Sequence, residues 1–248
     1  MLRIIQITDS HLFADPQGML KGVNTLNSLS AVVRDCRRRY PAPDLVLVTG
    51  DASHDGSAAS YQQCRGILAG LAAPVMFLPG NHDDVPVMRQ EFPNGRISHE
   101  RCRQIKGWNI MVLNTAMHGE EGGFLAVDEL VFLDEMLQNW PDCPTLIALH
   151  HPPVAVSSRW LDAIGLANAE EFFDVLDRYS QVQGIIFGHI HQAFGMQRKG
   201  VHLIGAPSTC IQFMPNEDNF ALDHQKPGYR HLTLYANGQI ETNVIRIA

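Results

Sequence analysis

The sequence predicts an α/β fold. Short apolar segments rich in β-branched residues alternate with amphipathic segments over about two-thirds of the chain, as expected when strands covered on both faces alternate with helices. The rest of the chain contains strand-like segments separated by hairpin turns. Strand–helix alternation followed by a β-rich end indicates two stacked sheets flanked by helices.

The predicted elements follow one another with short connections. Before residue 191 the predicted strands are 2–8, 44–49, 74–78, 109–114, 145–149 and 183–187. Helices are predicted near 25–40, 57–72, 84–92, 127–139 and 169–179, and Ser57 is a suitable N-cap for the second of them. After residue 191, strands are predicted at 192–198, 201–205, 230–235 and 239–247, with Lys199-Gly200 and Ala236-Asn237-Gly238 as hairpin turns.

Composition and charge favour one globular domain over residues 1–248. The chain is 45% hydrophobic and 18% charged, which is enough to bury a full core. Its formal net charge of −7 argues against nucleic acid as a partner. The five cysteines lack C-x-x-C spacing, the chain opens in a strand-like run, and no apolar run approaches the roughly 20 residues that span a bilayer. These features predict a cytoplasmic protein with reduced thiols and no membrane segment.

Acids, amides and histidines follow the ends of five predicted strands. The carboxyl ends of adjacent strands converge in an α/β sheet, and oxygen and imidazole ligands that converge on one point can bind metal ions. Each group alone is typical of ordinary turns, whereas the ordered set indicates a metal centre. The groups are Asp9-Ser10-His11, Gly50-Asp51, Gly80-Asn81-His82-Asp83, His150-His151-Pro152-Pro153 and Gly188-His189-Ile190-His191.

Spacing suggests how these residues reach a shared cation. In an extended backbone residues i and i+2 point to the same side, so Asp9 and His11 can address one ion, as can His189 and His191. The two oxygens of Asp51 can bridge two cations about 3.5–4 Å apart.

The remaining groups supply neutral ligands. The side-chain oxygen of Asn81 suits a site that already holds carboxylate charge. Of the adjacent histidines His150 and His151, only one is expected to face the cation, and we favour His150.

The ordered set across residues 9–191 resembles the calcineurin-like metallophosphoesterase superfamily. The resemblance implies a four-layer α/β/β/α sandwich of two mixed sheets flanked by helices. It implies two divalent metal ions per chain, with iron or manganese favoured and zinc as an alternative. In the implied ligand sets, one metal takes Asp9, His11, Asp51 and His191, and the other takes Asp51, Asn81, His150 and His189.

A narrower resemblance covers nearly the whole chain. The stretches 50–57, 207–213, 220–223 and 227–230, together with Tyr61, resemble the bacterial class III 3',5'-cyclic AMP phosphodiesterases of the CpdA type. This resemblance implies hydrolysis of 3',5'-cyclic AMP to 5'-AMP. Two alternatives stay open: a broader diesterase acting on glycerophosphodiesters or 2',3'-cyclic nucleotides, and a non-catalytic scaffold on the same fold.

Hydrolysis by such a centre assigns roles to individual residues. A hydroxide bridging two metals at Asp51 would attack phosphorus in line, and His82 would protonate the leaving alkoxide as general acid. Asp83 or another acceptor would orient the His82 ring. The expected substrate contacts come from His11, Asn81, His82 and His191.

The segment 206–229 shows little periodicity between two predicted strands. Loops of this length are usually functional or disordered, and Phe213, Phe220 and Tyr229 supply apolar anchors that favour order. We expect this segment to cover the substrate or to contact a second copy in a homodimer. His54 is expected either to reach the substrate or to lie in a surface turn.

Overall fold

Two six-stranded sheets form the centre of the structure, a computed structural model that describes residues 1–93 and 95–247. Elements are numbered in chain order. In spatial order, the first sheet contains β16 (Ile240–Arg246), β15 (Gly228–Leu234), β1 (Leu2–Ile7), β4 (Leu45–Thr49), β5 (Val75–Leu78) and β6 (Ile97–Ser98). The second contains β11 (Phe194–Arg198), β12 (Val201–Gly205), β10 (Val182–Phe187), β9 (Thr145–Leu149), β8 (Trp108–Val112) and β7 (Cys102–Ile105).

Both sheets are mixed. The strands β1, β4, β5 and β6 run parallel, as do β8, β9, β10 and β12. Antiparallel pairing borders the first set on one side and the second set on both sides. Two short hairpins lie outside these sheets, namely β2 (Met19–Leu20) with β3 (Val23–Asn24), and β13 (Gln212–Phe213) with β14 (Leu222–Asp223).

Helices cover the outer face of each sheet. Side chains of α1 (Thr25–Arg39), α2 (Ala58–Leu68) and α3 (Val85–Glu91) join the core against the first sheet. Those of α4 (Val127–Asn139), α5 (Arg159–Asp162) and α6 (Ala169–Leu176) join the core against the second. The predicted four-layer α/β/β/α sandwich is therefore confirmed.

Alternation along the central strands creates these layers. In β1, Ile5 packs toward the helices of the first sheet, whereas Ile4 packs into the core between the two sheets. In β4, Val46 packs toward the helices and Leu47 packs into the core between the sheets. Successive side chains on a strand point to opposite faces, so each run must be apolar throughout to fill both layers.

Most predicted elements are present with shifted ends. Ser57 caps α2 by accepting a hydrogen bond from the Ser60 backbone N–H, and Lys199-Gly200 and Asn237-Gly238 form the predicted turns. The predicted helix 169–179 ends at Leu176. The prediction missed β6, β7, α5 and the two short hairpins, because each of these strands and helices has four residues or fewer.

Within the described ranges, no helix has the length and apolarity needed to cross a bilayer. All five cysteines are free thiols.

Candidate metal centre

Strand ends from both sheets contribute to one buried centre. The loop after β1 continues to pair with the loop after β4, because Asp9 N–H donates to Gly50 O (3.0 Å) and His11 N–H donates to Asp51 O (2.9 Å). In the second sheet, Gly188 N–H donates to His150 O (3.2 Å). The centre therefore lies where the carboxyl ends of strands from both sheets meet. The sequence had suggested that all the ligands follow strands of one sheet.

The local backbone at these positions is left-handed, so the argument from extended geometry is wrong. Asp9 (φ 54°) and His11 (φ 46°) have positive φ, as do His189 (φ 67°) and His191 (φ 49°), and Asp51 has φ 50°. Such conformations are uncommon for residues with a Cβ and concentrate at functional sites. Tight left-handed turns, rather than alternation along a strand, bring these side chains together.

Two glycines make room for the centre. A Cβ at Gly50 would collide with the His150 ring, and the φ of Gly50 is +97°. A Cβ at Gly80 would collide with the carboxylate of Asp51. The G-D and G-N-H-D motifs therefore begin with glycine for steric reasons at the site itself.

Asp9, His11 and His191 form one half of the centre. Their potential ligand atoms lie within 4.8 Å of one another, and all three side chains are buried. His191 Nε2 lies 3.3 Å from Asp9 Oδ1 and 3.2 Å from His11 Nε2. One oxygen and two imidazole nitrogens thus converge on one point, as a cation site requires.

Asn81, His150 and His189 form the other half. Asn81 Oδ1 lies 3.2 Å from both His150 Nε2 and His189 Nδ1. Asp51 Oδ2 lies between the halves, at 3.6 Å from His11 Nε2 and 3.5 Å from His150 Nε2. The other oxygen of Asp51 accepts the His82 backbone N–H at 2.9 Å. Asp51 therefore lies where it would help to hold a cation in either half, while its Oδ1 is held by the backbone.

Backbone carbonyls orient two of the imidazole rings. His150 Nδ1 lies 2.8 Å from Thr49 O, and His191 Nδ1 lies 2.9 Å from Ile211 O. Because a carbonyl only accepts, each Nδ1 carries a proton, so Nε2 is the nitrogen of each ring that is left to bind a cation.

Burial and mutual attraction determine the charges here. Burial alone would raise the pKa of Asp51, but the combined attraction of His150, His11 and His82 outweighs this effect and holds that pKa well below its ordinary value. Burial alone would lower the pKa of His150, but Asp51 raises it to about 9. Burial lowers the pKa of His11 to about 3 and that of His189 well below its ordinary value, so both are neutral ligands at neutral pH.

These residues fit metal cations. Among the described residues, every ion pair of Asp9 and Asp51 is with a histidine, and none is with lysine or arginine. The buried Nε2 of His189 has no hydrogen-bond partner within the described part of the chain. Beside two buried carboxylates, the charged ring of His150 and the neutral rings of His11 and His189 leave a deficit of positive charge that bound cations would offset.

His82 lies beside the centre with an exposed side chain. Its ring meets the edge of His11 at a centroid distance of 4.9 Å and stacks on His54 at 4.7 Å and 21°. His54 also approaches His11, with 3.3 Å between their Nδ1 atoms. His54 therefore contacts the centre. Its signals in the sequence were its position three residues after Asp51 and its place in the stretch 50–57.

Asp83 does not orient the His82 ring, so that part of the prediction is wrong. Its carboxylate accepts hydrogen bonds from the backbone N–H groups of Gly80 (2.9 Å) and Ser53 (3.0 Å) and from the Tyr61 hydroxyl (3.0 Å). Burial and the nearby Asp51 raise the pKa of Asp83 to about 6. Asp83 fixes the loops around the centre instead.

His151 lies beside the ligand set, with a ring nitrogen within 4.8 Å of ring nitrogens of His150 and His189, but hydrogen bonds engage its ring. Its Nδ1 lies 2.7 Å from the Thr115 hydroxyl, and its Nε2 lies 3.2 Å from Glu121 O. Both ring nitrogens are occupied by hydrogen bonds, whereas His150 Nε2 faces Asp51.

A cavity of about 400 Å³ opens onto the centre. The segment 206–229 is ordered around it, because β13 and β14 form a hairpin and Ser208 Oγ donates to Asp9 O at 2.8 Å. Phe213 stacks on His191 at 4.1 Å and 8°. Phe220 is 49% exposed rather than anchored in the core. The sequence did not reveal Trp160, which lines the same cavity from α5.

Comparison with known proteins agrees with this geometry. The chain is 42% identical over 248 residues to the 3',5'-cyclic adenosine monophosphate phosphodiesterase CpdA of Vibrio vulnificus, covering 100% of this chain and 90% of that protein. It is 39% identical over 244 residues to the CpdA of Pseudomonas aeruginosa, covering 98% of this chain and 89% of that protein. A solved dimetal phosphatase from Danio rerio has the same fold, with a TM-score of 0.67 at 16% identity over 100% of this chain and 99% of that one.

A family model gives the broadest assignment. The calcineurin-like phosphoesterase model matches residues 2–193, which include all the strand ends described above. The chain belongs to the calcineurin-like phosphoesterase family.

Proposed function

We propose that this chain is a metal-dependent phosphodiesterase that hydrolyses 3',5'-cyclic AMP to 5'-AMP. The observation that carries the proposal is the convergence of seven candidate ligands at a cavity large enough for a nucleotide. The full-length similarity to CpdA phosphodiesterases supports the choice of substrate. Residues 1–248 would act as one domain in the cytoplasm, with 206–229 beside the substrate.

Two divalent cations are the proposed cofactors. Asp9, His11 and His191 would hold one with Asp51, and the second group described above, Asn81, His150 and His189, would hold the other with the same Asp51. Mixed imidazole and carboxylate ligands suit iron or manganese, with zinc as an alternative. When bound, such cations lower the pKa of a water molecule and offset charge on the phosphate.

The chain's own groups complete the reaction. Water adds OH to phosphorus, the bond from phosphorus to O3' breaks, and O3' must gain a proton. His82 is the proposed donor, because its exposed ring lies beside His11 and its backbone is fixed by Asp51. A positioned general acid contributes about 10²–10⁴-fold to the rate. His11, Asn81 and His191 are the further proposed contacts to the phosphate.

One preparation reconstituted with manganese or iron would test the proposal. Hydrolysis of 3',5'-cyclic AMP, 2',3'-cyclic AMP and a glycerophosphodiester would be measured side by side, together with metal content. We expect close to two metals per chain and the highest kcat/KM for the 3',5'-cyclic substrate. A higher value for either of the other diesters would replace the proposal with the broader diesterase, and absence of all three activities in a metal-loaded chain would favour the scaffold.

A further inference from the structure

The cavity combines two chemically different linings. One contains five of the seven candidate ligands together with His82, and it is suited to an anionic phosphate. The other contains three aromatic rings, Trp160, Phe213 and Phe220, which we call the aromatic trio. The proposed reaction uses only the first lining, so the trio has no role in it.

The trio is a defined arrangement. Trp160 meets Phe213 at a centroid distance of 4.9 Å and 73°, and meets Phe220 at 5.4 Å and 71°. Phe213 meets Phe220 at 5.5 Å and 67°. Edge-to-face packing at these distances is the arrangement that the ring quadrupoles favour.

Two separate segments are joined to form it. Trp160 belongs to α5, while Phe213 lies on β13 and Phe220 precedes β14. An ion pair of 3.0 Å between Arg159 and Asp218 connects the same two segments at the surface. The hairpin and α5 therefore meet at this point, beside the candidate metal centre.

The trio leaves apolar area uncovered. Phe220 is 49% exposed, although its position at a cavity wall would allow a bound ring to cover it. Lys21 lies 5.4 Å from the Phe220 ring centroid. Exposed aromatic area in a concave site is typical of ligand pockets.

We propose that the aromatic trio binds the purine base of the nucleotide by stacking, while its phosphate lies at the candidate metal centre. The substrate has one anionic part and one aromatic part, and the cavity presents a lining for each. Phe213 links the two linings, because it belongs to the trio and also stacks on His191 at 4.1 Å. This inference rests on the proposed function for the position of the phosphate.

Stacking also predicts which bases are accepted. Every base has an aromatic face, so stacking alone tolerates different bases, and a purine offers more area than a pyrimidine. The trio should therefore favour purine over pyrimidine nucleotides and should distinguish adenine from guanine only weakly.

Calorimetric binding of 5'-AMP and ribose 5-phosphate to the manganese-loaded enzyme tests the base site. Both ligands carry the same 5'-phosphate, but only AMP has a base. Wild-type enzyme should bind AMP roughly five- to hundredfold more tightly than ribose 5-phosphate. Phe220→Ala should lose at least about fivefold in AMP affinity and leave ribose 5-phosphate within about twofold. Because Phe220 is half-exposed, Phe220→Ala should keep the fold.

Two further variants strengthen the test. Phe124→Ala removes an aromatic side chain that is 39% exposed and lies outside the cavity lining, and it should change neither affinity. Trp160→Phe keeps a ring in place and should retain most of the AMP affinity, whereas Trp160→Ala should not.

The outcomes separate the base site from the proposed function. Equal affinity of wild-type enzyme for AMP and ribose 5-phosphate would overturn the base site, as would equal weakening of both ligands in Phe220→Ala. Absence of cyclic AMP hydrolysis together with a large preference for AMP would instead overturn the proposed function and leave the base site standing.

Discussion

Asp51 in the metal centre and Asp177 at the surface satisfy their negative charges in opposite ways. Asp177 contacts the Arg198 guanidinium through both oxygens (2.5 and 2.9 Å) and the Lys199 ammonium at 2.7 Å. Asp51 is buried, and its partners are His11 and His150. Both carboxyl groups have lowered pKa values, but the partners of Asp177 are an arginine and a lysine that keep their protons near neutral pH, whereas those of Asp51 are imidazoles that can become metal ligands.

The difference shows how the chain prepares a site for external cations. Around Asp177, arginine and lysine complete the charge balance within the protein. Around Asp51, the partners are imidazoles. His150 is charged in the absence of a metal, but a bound cation would displace its proton. A lysine or arginine in the centre would fill the position that the reaction needs for a metal.

Replacing Asp51 should produce the largest effect. We expect Asp51→Asn to lower the turnover of cyclic AMP at least about 10⁴-fold, because one carboxylate serves both halves of the centre and such groups act as a unit. Manganese should raise the melting temperature of the wild-type chain, since a ligand at 100 times its Kd stabilises by about 2.7 kcal/mol, and this rise should vanish in Asp51→Asn. Metal analysis, turnover and thermal unfolding measure these effects.

Asp177→Asn is the matched control, since it makes the same isosteric change at the surface carboxylate. It should keep wild-type metal content, turnover and the manganese-dependent rise in melting temperature. If Asp51→Asn retained two metals per chain, the contrast between the two carboxylates would be wrong.

Removal of His82 should have the next largest effect. His82→Ala should lower the turnover of cyclic AMP about 10³-fold without loss of metal, because the leaving alkoxide then lacks a positioned proton donor. A diester with a nitrophenolate leaving group needs less protonation and should lose far less. The ratio of the two losses identifies the general acid. Equal losses on both substrates would point to a role in binding or structure instead.

The fold was predictable because its signals are local. Buried strands such as Leu45–Thr49 must be apolar on both faces, and the sequence shows this directly. The strand β7 and the two short hairpins carry no comparable pattern, although their partners are close in the chain, because β7 is partly exposed and each hairpin strand has only two residues. For the same reason, the sequence predicted no strand at β13 and β14, which lie in the segment 206–229.

At the metal centre, residue types were easier to predict than geometry. The motifs identified Asp9 and His11 by chemistry, but their left-handed backbone was not visible in a D-x-H spacing. The contacts between ligands from different sheets, such as Asp51 with His150, could not be predicted from the sequence either. The stacking of His54 on His82 and the position of Trp160 at the cavity depend on the folded chain, because these residues are far apart in sequence or lie outside any motif.

Replacing His54 should have an intermediate effect. His54 touches His11 through nitrogen and His82 through its ring face, so it supports a ligand and the proposed acid without replacing either. We expect His54→Ala to lower kcat about tenfold, as is typical of partners behind a metal ligand. His54→Gln can restore a polar contact to His11 but not the stacking, and its kcat should fall between wild type and alanine. Wild-type kcat in His54→Ala would contradict this role.

Replacing Asp177, which pairs with Arg198 and Lys199 at the surface, should have the smallest effect, and this effect should depend on pH. Arg198 and Lys199 hold the pKa of Asp177 at about 2, below its ordinary value of 3.8, so folding favours the ionised carboxylate. The resulting stability is fully present above about pH 4 and is lost as the pH falls toward 2.

Because these side chains are partly exposed and screened, Asp177→Asn should cost less than about 1 kcal/mol at pH 7. Urea unfolding with a chelator present would measure the difference from wild type, which should stay constant from about pH 7 to 5 and shrink below about pH 4. If the difference in unfolding free energy between wild type and Asp177→Asn grew as the pH fell, the ionised carboxylate would not be the source of the stability. The comparison of Asp177 with Asp51 would then be wrong.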